Sequence, residues 1–329
     1  ARMKVLITTD TFSPSVSGVV TSVINLNKEL VEMGHDVRIL TLSRDRYSGK
    51  RGNVYYIRSF GDNVYPDMRA TVAFRDKCVK EILEWSPDII HSQCEFFTFL
   101  FAKRISKKLN IPVVHTYHTM YEHYTGYLFR NAVLRKRLAS IFSREIANQV
   151  DVVIVPTEKV RASLENYRIN KDIEVIPTGI NLDKFKVKMA EDERLRLKAE
   201  LGIVGENKVI LFAGRLGMEK KIDEILLNLP PLIEKHKELI MLIVGDGPHR
   251  HSLEQTVKRL NIGGHVIFTG MVSPDRIARY YQIADIFVSA SESETQGLTY
   301  IEALANGIPE VCKYDKCLEG VLINGYNGF

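Results

Sequence analysis

The stretch Asp285-Ile-Phe-Val-Ser-Ala-Ser-Glu-Ser-Glu-Thr-Gln-Gly-Leu-Thr-Tyr-Ile-Glu302 runs from an apolar segment through a Ser/Glu-rich turn into helix-forming residues. It predicts a short buried strand, a turn, and a helix that begins near Gly297. The free N–H groups and positive dipole end of such a helix attract anions. Glu294 lies in the turn and Glu302 in the helix, so the pattern suits a diphosphate with sugar or ribose hydroxyls on the carboxylates. A helix start with solvated glutamates fits the bare pattern equally well.

A second strand-to-loop segment, Lys208–Lys221, has the same organisation. Its apolar, β-branched run stops at Gly214, as a buried parallel strand does. Arg215 and Lys220 follow at the carboxyl end of this strand, where open α/β sheets bind ligands. A guanidinium and an ammonium group suit a diphosphate through charge-assisted hydrogen bonds. The alternative is that both residues are solvated surface cations. This alternative is stronger for Lys220 than for Arg215, because Lys221 lies next to Lys220.

Seven segments, taken together and in this order, resemble the motifs of retaining GT-B glycosyltransferases that use nucleotide-sugar donors. They are Thr9–Val20, His115–Thr119, Val155–Thr157, Ile176–Ile180, Gly214–Lys220, Val244–Pro248 and Glu294–Glu302, and they extend over nearly the whole chain. Within this family, the Ser17–Val20 and Tyr117–Glu122 segments are similar to bacterial 1,2-diacylglycerol 3-glucosyltransferases.

The resemblance implies an α/β fold of the GT-B type, with two Rossmann-like domains whose parallel sheets face each other across a cleft. It implies a UDP-sugar donor, with glucose expected ahead of galactose, and a membrane diacylglycerol or glycolipid acceptor, with retention at the transferred sugar. No cofactor and no divalent metal are implied. Two alternatives stay open: transfer to a soluble sugar or polysaccharide, and a non-catalytic scaffold that binds sugar nucleotide or lipid.

The resemblance also assigns roles to individual residues. The expected catalytic residues are His118, Arg215, Lys220 and Glu294, and the expected donor-binding residues are Gly18, Val19, Gly214, Val272, Gly297, Leu298, Thr299 and Glu302. His118 is expected to bond a hydroxyl of the donor sugar. It need not be a general base, because the resemblance implies that the leaving phosphate helps to remove the acceptor proton. Gly18 would let the backbone approach a phosphate closely, and a plain turn glycine is the alternative.

Short Val/Ile-rich runs alternate with helical spacing in both halves of the chain, which predicts crossover units and a parallel sheet in each. We predict an acceptor- and membrane-facing domain over 1–183, a linker with a surface helix over 184–207, and a nucleotide-sugar-binding domain over 208–329. The resemblance implies further strand and helix beyond residue 329, so the last domain is expected to be incomplete. Glu310 stands where the family usually has an apolar residue.

The composition agrees with two soluble domains. The chain has 329 residues, of which 45% are hydrophobic, and its apolar stretches fall short of the roughly 18–20 residues of a membrane span. Its four cysteines lack zinc or disulfide spacing, which favours ordinary thiols in a reducing compartment. A single Gly-x-Gly, at 245–247, disfavours a dinucleotide-dependent dehydrogenase.

The segment Lys103–Arg144 contains nine Lys/Arg residues against one acidic residue, Glu122. A basic amphipathic helix with aromatic neighbours is typical of binding to anionic lipid surfaces. The alternative is a core-facing stripe with a solvated basic face. The predicted membrane or acceptor contacts are Tyr117, Tyr121, Tyr127, Phe129, Arg130, Arg135, Lys136 and Arg137. Nucleic-acid binding is disfavoured because no recognition motif accompanies the patch. The expected location of the protein is the cytoplasm, peripheral on the inner face of the cell membrane.

Overall fold

The computed structural model describes residues 2–15, 17–45, 47–61, 69–121 and 132–329, without the side chains of Ala132 and Arg135. The chain divides into two compact units, Ala1–Ile180 and Asn181–Phe329. Each unit is built on its own largely parallel sheet, so the two Rossmann-like domains expected from the sequence are confirmed.

The first unit begins with alternating strands and helices and adds short strands that the sequence patterns did not indicate. Its strands are β1 (Lys4–Thr9), β2 (Asp36–Leu42), β3 (Gly49–Arg51), β4 (Val54–Ile57), β5 (Phe60–Gly61), β6 (Arg69–Ala70), β7 (Ile89–Ser92), β8 (Val113–Thr116), β9 (Val152–Val155) and β10 (Asp172–Val175). Its helices in the described residues are α1 (Gly18–Glu32), α2 (Lys77–Trp85), α3 (Phe97–Leu109), α4 (Ala132–Ala147) and α5 (Glu158–Asn166).

The eight-stranded sheet of this unit has the order β10-β9-β8-β7-β1-β2-β4-β3. Successive β1 side chains point to opposite faces, so Leu6 joins one buried apolar cluster while Val5 and Ile7 join another. The chain leaves β1 towards β2 and later returns on the other side with β7. The carboxyl ends of β1 and β7 therefore lie at a topological switch point, the position where open α/β sheets bind ligands.

The second unit repeats this plan with a smaller sheet. Its helices are α6 (Asp183–Lys186), α7 (Glu191–Glu200), α8 (Ile222–Lys235), α9 (Arg250–Arg259), α10 (Ile277–Gln282) and α11 (Leu298–Ala305). Its strands are β11 (Lys208–Ala213), β12 (Leu239–Val244), β13 (Val266–Gly270), β14 (Ile286–Ser289) and β15 (Glu310–Cys312). Short 3-10 turns follow at Met218–Lys220, Gly263–His265 and Lys316–Leu318.

All neighbouring strands of the second sheet are parallel, in the order β13-β12-β11-β14-β15. The six residues of β12 are all buried, as expected for a strand covered by helices on both faces. Here the chain runs from β11 outwards through β12 and β13 and then returns to the other side of β11 with β14. The second switch point therefore lies between the carboxyl ends of β11 and β14.

The segment 184–207 packs within the second unit. Phe185 is 2% exposed, and its ring centroid lies 6.1 Å from that of Tyr281. Leu197 on α7 is also buried, whereas most other residues of this helix face solvent. Two apolar anchors thus hold the segment, which was expected to be a linker with a surface helix, against the second unit.

Candidate active site

The loops after β11 and β14 meet at the second switch point. Lys220, from the first loop, places Nζ 2.7 Å from Oε1 of Glu294, in the second loop. Ser293 donates a hydrogen bond from Oγ to the carbonyl oxygen of Glu219, at 3.3 Å. Two segments that are remote in sequence are thereby joined at the edge of the sheet where a ligand is expected.

Glycines shape the loop that carries Arg215. A Cβ on Gly245 would lie 1.9 Å from the carbonyl oxygen of Gly214, and a Cβ on Gly247 would lie 2.5 Å from that of Leu216. Side chains at these two positions would push the loops apart. The Gly-x-Gly after β12 therefore serves close backbone packing against the Arg215 loop.

Arg215 faces a carboxylate within its own loop. One guanidinium nitrogen, Nη2, lies 2.5 Å from Oε1 of Glu219, whose side chain is only 3% exposed, whereas that of Arg215 is 35% exposed. The pair positions the guanidinium and leaves part of it accessible. A sequence pattern could have indicated Glu219, because it lies four residues after Arg215.

The Lys220–Glu294 pair is more enclosed, with side chains 19% and 15% exposed. A neighbouring pair joins Lys221 to Glu292, which also lies 3.1 Å from Nζ of Lys313. The expected phosphate-binding cation Lys220 is thus held by the carboxylate that was expected to meet the sugar. This arrangement brings both groups to one place, where an anionic ligand would share the ammonium with Glu294.

The helix α11 begins where the sequence predicted it. Gly297 has φ +74°, and a Cβ there would lie 2.9 Å from Cδ2 of Tyr300 and 3.2 Å from Cδ2 of Leu318. A non-glycine residue would thus face both a left-handed backbone and a steric conflict. Gly297 itself provides no side chain to cap the helix, whose first turn includes Leu298 and Thr299.

Glu302, one turn into α11, accepts a hydrogen bond from the hydroxyl of Tyr281 at 2.9 Å. Burial raises the pKa of Glu302, while this hydrogen bond and the charge of Lys184 act in the opposite direction. Tyr281 lies on α10 and is fully buried. No sequence pattern indicated Tyr281 as a site residue, because an apolar or aromatic residue at helical spacing is normally predicted to belong to the core.

The first unit has a comparable arrangement at its own sheet edge. His118 follows β8, and its Nε2 lies 2.7 Å from Oε1 of Gln93, which follows β7. Burial, with smaller contributions from His115 and His91, lowers the pKa of His118 to about 3. The imidazole is therefore neutral at ordinary pH, with one ring nitrogen able to donate and the other able to accept a hydrogen bond.

A buried polar cluster supports this edge. Glu95 lies 3.3 Å from Nε2 of His115 and accepts a hydrogen bond from the hydroxyl of Tyr121. Asp10, after β1, accepts the backbone N–H of Thr98 at 2.7 Å and so caps the start of α3. Burial raises the pKa of Asp10 to about 6. Gln93, Glu95 and Asp10 were not singled out in the sequence, although each follows a strand at its carboxyl end.

The remaining donor-site predictions are divided between the units. Gly214, which follows β11, and Val272, which follows β13 and is half-buried, belong to the second unit. Gly18 and Val19 open α1 in the first unit, where Ser17 caps the helix by accepting the N–H of Val20 at 3.2 Å. Arg215, Lys220, Glu294, Gly297, Leu298 and Thr299 lie together on the loops after β11 and β14 and the start of α11.

A cavity of about 850 Å³ lies in the first unit, beside the loops that follow β1 and β2. Asp10 lines it, together with Tyr56 and several cations. These cations are Arg44, Lys50, Arg51 and Arg69. The sequence patterns did not indicate this cavity, because its walls come from loops and from the unanticipated strand β3.

The predicted membrane surface needs one correction. Tyr117 is 3% exposed, and its hydroxyl lies 2.7 Å from Oγ of Ser143 on α4. Tyr121 packs against the same core, with its ring centroid 5.0 Å from that of Phe142. The structure therefore places Tyr117 in the core rather than on a lipid-facing surface, because its ring belongs to the main buried apolar cluster of the first unit.

The outer face of α4 combines cations with exposed apolar side chains. Lys136 and Arg137 are exposed. Val133, Leu134 and Ile141 are 78%, 41% and 46% exposed. Tyr127, Phe129 and Arg130 lie outside the described residues, as does the side chain of Arg135. Among the described residues, no helix is both long and apolar enough to cross a membrane.

Solved structures show the class of fold to which this chain belongs. The crystal structure of Anabaena Alr3699/HepE in complex with UDP and glucose is similar with a TM-score of 0.74 at 17% identity, covering 100% of this chain and 85% of that chain. Sucrose-phosphate synthase from Thermosynechococcus elongatus gives a TM-score of 0.75 at 20% identity, covering 100% and 85%. The fold is that of a GT-B glycosyltransferase.

Family patterns and curated relatives narrow this class. Glycosyltransferase Family 4 matches residues 16–184, and Glycosyl transferases group 1 matches residues 193–329. The chain is 37% identical to the alpha-monoglucosyldiacylglycerol synthase of Streptococcus pneumoniae, over 97% of this chain and 73% of that protein. It is 31% identical to the enzyme of the same name from Acholeplasma laidlawii, over 99% and 84%. The chain belongs to glycosyltransferase family 4.

Proposed function

We propose that this protein transfers glucose from UDP-glucose to a membrane diacylglycerol, or to a glycolipid acceptor, with retention at the transferred sugar. The observation that carries the proposal is the Lys220–Glu294 contact of 2.7 Å at a switch point, with Arg215 on the same loop. The named relatives from Streptococcus pneumoniae and Acholeplasma laidlawii, both alpha-monoglucosyldiacylglycerol synthases, support the choice of sugar and acceptor. A structural neighbour with UDP-glucose supports the choice of donor.

The donor diphosphate is assigned to Arg215, Lys220 and the start of α11. Negative charge builds up on the diphosphate as the sugar leaves, so cations placed there stabilise the transition state more than the ground state. The two cations perform the charge neutralisation that a divalent metal performs in other transferases. The proposal accordingly includes no metal ion and no cofactor.

The sugar and ribose hydroxyls are assigned to carboxylates. Glu294, in the turn, accepts from hydroxyls of the transferred sugar, and Glu302 accepts from the ribose. His118 is assigned a hydroxyl of the donor sugar, because its neutral imidazole can donate or accept a hydrogen bond. With its pKa lowered to about 3, His118 is a weak base, so the leaving phosphate takes the acceptor proton.

The acceptor and membrane contacts are assigned to the first unit. The exposed apolar residues of α4 lie among Lys136 and Arg137, and such a surface suits the interface of an anionic bilayer. The cavity beside the loops after β1 and β2 is where we place the acceptor headgroup. This assignment makes the protein a peripheral one, on the inner face of the membrane where UDP-sugars are available.

The proposal is tested by incubating purified protein with radiolabelled UDP-glucose and three acceptors. These are anionic vesicles with diacylglycerol, the same vesicles without it, and a mixture of soluble sugars. The expected product is an α-glucosyl lipid that forms only in the first mixture, with the anomer read by NMR. Label in soluble sugars would favour the soluble-acceptor alternative, and no turnover in any mixture would favour a non-catalytic scaffold. Replacing the donor with UDP-galactose tests the choice of sugar.

A further inference from the structure

Tyr281, on α10, donates a hydrogen bond to Glu302 and has no role in the proposed function. The hydroxyl of Tyr281 lies 2.9 Å from Oε2 of Glu302 and 3.2 Å from the carbonyl oxygen of Thr299. We propose that Tyr281 is a positioning residue, which holds one oxygen of the Glu302 carboxylate so that the other is presented to the ribose of the donor. The inference rests on the proposed function, which assigns Glu302 to the ribose.

The ring of Tyr281 is fixed in place. It is 0% exposed, and its centroid lies 6.1 Å from that of Phe185 and 6.2 Å from that of Phe287. Contacts with two aromatic rings in a buried position leave the hydroxyl little freedom to turn away. A hydroxyl has one proton, and a carboxylate attracts it more strongly than a peptide carbonyl does. The donor to Glu302 is therefore preorganised by the core of the second unit.

The carboxylate has capacity for a ligand beyond this bond. Within the described residues, Tyr281 is the one side chain shown to donate a hydrogen bond to Glu302, and it engages Oε2. An ionised carboxylate accepts through both oxygens, so Oε1 can accept from a ribose hydroxyl. Vicinal hydroxyls of ribose are donors of the kind that such an oxygen binds.

Burial and nearby charges shift the pKa values of both partners. Burial raises the pKa of Tyr281 well above its ordinary value, and Glu302 and Glu310 act in the same direction, so its hydroxyl stays a donor. Burial also raises the pKa of Glu302, which the bond from Tyr281 and the charge of Lys184 counteract. Removing the hydroxyl would leave Glu302 more easily protonated, and a protonated carboxyl is a poorer acceptor for ribose.

The test replaces Tyr281 with phenylalanine, which keeps the ring and removes only the hydroxyl. Calorimetry would measure binding of UDP and of 2′,3′-dideoxy-UDP, which lacks the ribose hydroxyls. We expect Tyr281→Phe to weaken UDP binding about tenfold, in line with the loss of a hydrogen bond to a charged group, and to leave the dideoxy ligand unaffected. The pH below which UDP affinity is lost should move upwards in the variant.

Tyr280→Phe is a matched control. Tyr280 is the adjacent, buried tyrosine on α10, and its hydroxyl has no hydrogen bond among the described residues, so UDP binding should be unchanged. Equal losses for both ligands in Tyr281→Phe would show a structural effect and overturn the inference, as would wild-type UDP binding at every pH. Glu302→Gln distinguishes a failure of the positioning role of Tyr281 from a failure of the ribose assignment of Glu302. If Glu302→Gln weakens UDP binding and Tyr281→Phe does not, Glu302 binds the ribose but Tyr281 does not position it. If Glu302→Gln has no effect on UDP binding, the assignment of Glu302 to the ribose is wrong as well.

Discussion

Lys220 and Glu294 are 74 residues apart in the chain, yet Nζ and Oε1 lie 2.7 Å from each other. They meet because β11 and β14 are neighbours in the sheet although two strands and three helices intervene in sequence. The pair is largely shielded from solvent, which strengthens the attraction between the two charges.

The first prediction concerns the two cations of the β11 loop. Arg215→Ala and Lys220→Ala should each lower turnover by about 100–1,000-fold, because the diphosphate gains charge as it leaves. Donor affinity should fall as well. Steady-state kinetics over a range of UDP-glucose concentrations up to saturation measures both, and Lys237→Ala, at an exposed position on the same unit, is the control. Near-wild-type turnover in both variants would contradict the phosphate assignment.

The second prediction separates the two carboxylates of the 294–302 segment. Glu302→Gln should weaken binding of free UDP, since the ribose loses its acceptor, whereas Glu294→Gln should leave UDP binding nearly unchanged and lower the rate of transfer. Calorimetry with UDP and an assay of sugar transfer measure the two effects. The opposite ranking would show that the roles of the two residues are reversed.

The third prediction concerns the membrane. Replacing Arg135, Lys136 and Arg137 with glutamate should abolish sedimentation with anionic vesicles, because each cation near such a surface contributes about 1 kcal/mol. High salt should have the same effect on the wild type, since exposed charges are screened within roughly 10 Å at 0.1 M salt. UDP binding should be spared, because the nucleotide is assigned to the other unit.

A charge reversal at Lys235 and Lys237, on the second unit, is the control for the vesicle experiment. Those two substitutions lower the net charge without touching α4, so vesicle binding should fall only slightly. Unchanged sedimentation of the triple variant would move the acceptor assignment from a membrane lipid to a soluble sugar.

The fourth prediction follows from Glu310, which occupies β15 with 0% exposure. Among the described residues, neither of its carboxylate oxygens has a hydrogen-bond partner. Burial raises its pKa from 4.5 to about 8. Between these two pH values the folded state holds a proton that the unfolded state has lost, so this group makes stability fall as pH rises, by about 1.4 kcal/mol per pH unit.

Glu310→Val should remove this dependence. The variant should be more stable than the wild type, and the difference in free energy of unfolding should grow as pH rises from about 5 to about 8. Urea unfolding at several pH values measures it, with Glu206→Gln, at an exposed position, as the control. A difference that does not change with pH would show that Glu310 is ionised in the folded protein.

Several parts of this structure follow from local sequence. Buried strands such as β12 are recognisable because they are continuous runs of apolar residues. Alternation of such strands with helices indicates crossover connections and therefore a parallel sheet. The start of α11 at Gly297 was predictable because a Ser/Glu-rich turn gives way there to helix-forming residues. The structure adds the reason for a glycine, which is the left-handed backbone and the close approach of Tyr300. The start of α2 at Lys77 is also local, because the side chain of Asp76 accepts the N–H of Cys78 and caps the helix there.

Several of the site residues could also be predicted from the local sequence. Arg215, Lys220, Glu294 and His118 all follow strands at their carboxyl ends, and that position depends only on the order of strands and turns. Apart from Glu219, which lies four residues after Arg215, the partners of the site residues were not evident from the sequence. Gln93, Tyr281 and, for Lys220, Glu294 itself are brought into contact by neighbouring strands and helices that are distant in the chain.

By itself, the sequence determined the two-part α/β organisation, the edges of the sheets that carry polar residues, and the types of group available there. Only the tertiary structure decided which of these groups are paired, which are buried and which stay exposed. Tyr117 illustrates the difference, since its pattern suited a lipid surface and the packing of α4 placed it in the core. Periodicity and turn residues act over a few neighbouring positions, whereas burial and side-chain pairing depend on contacts between segments that only the folded chain brings together.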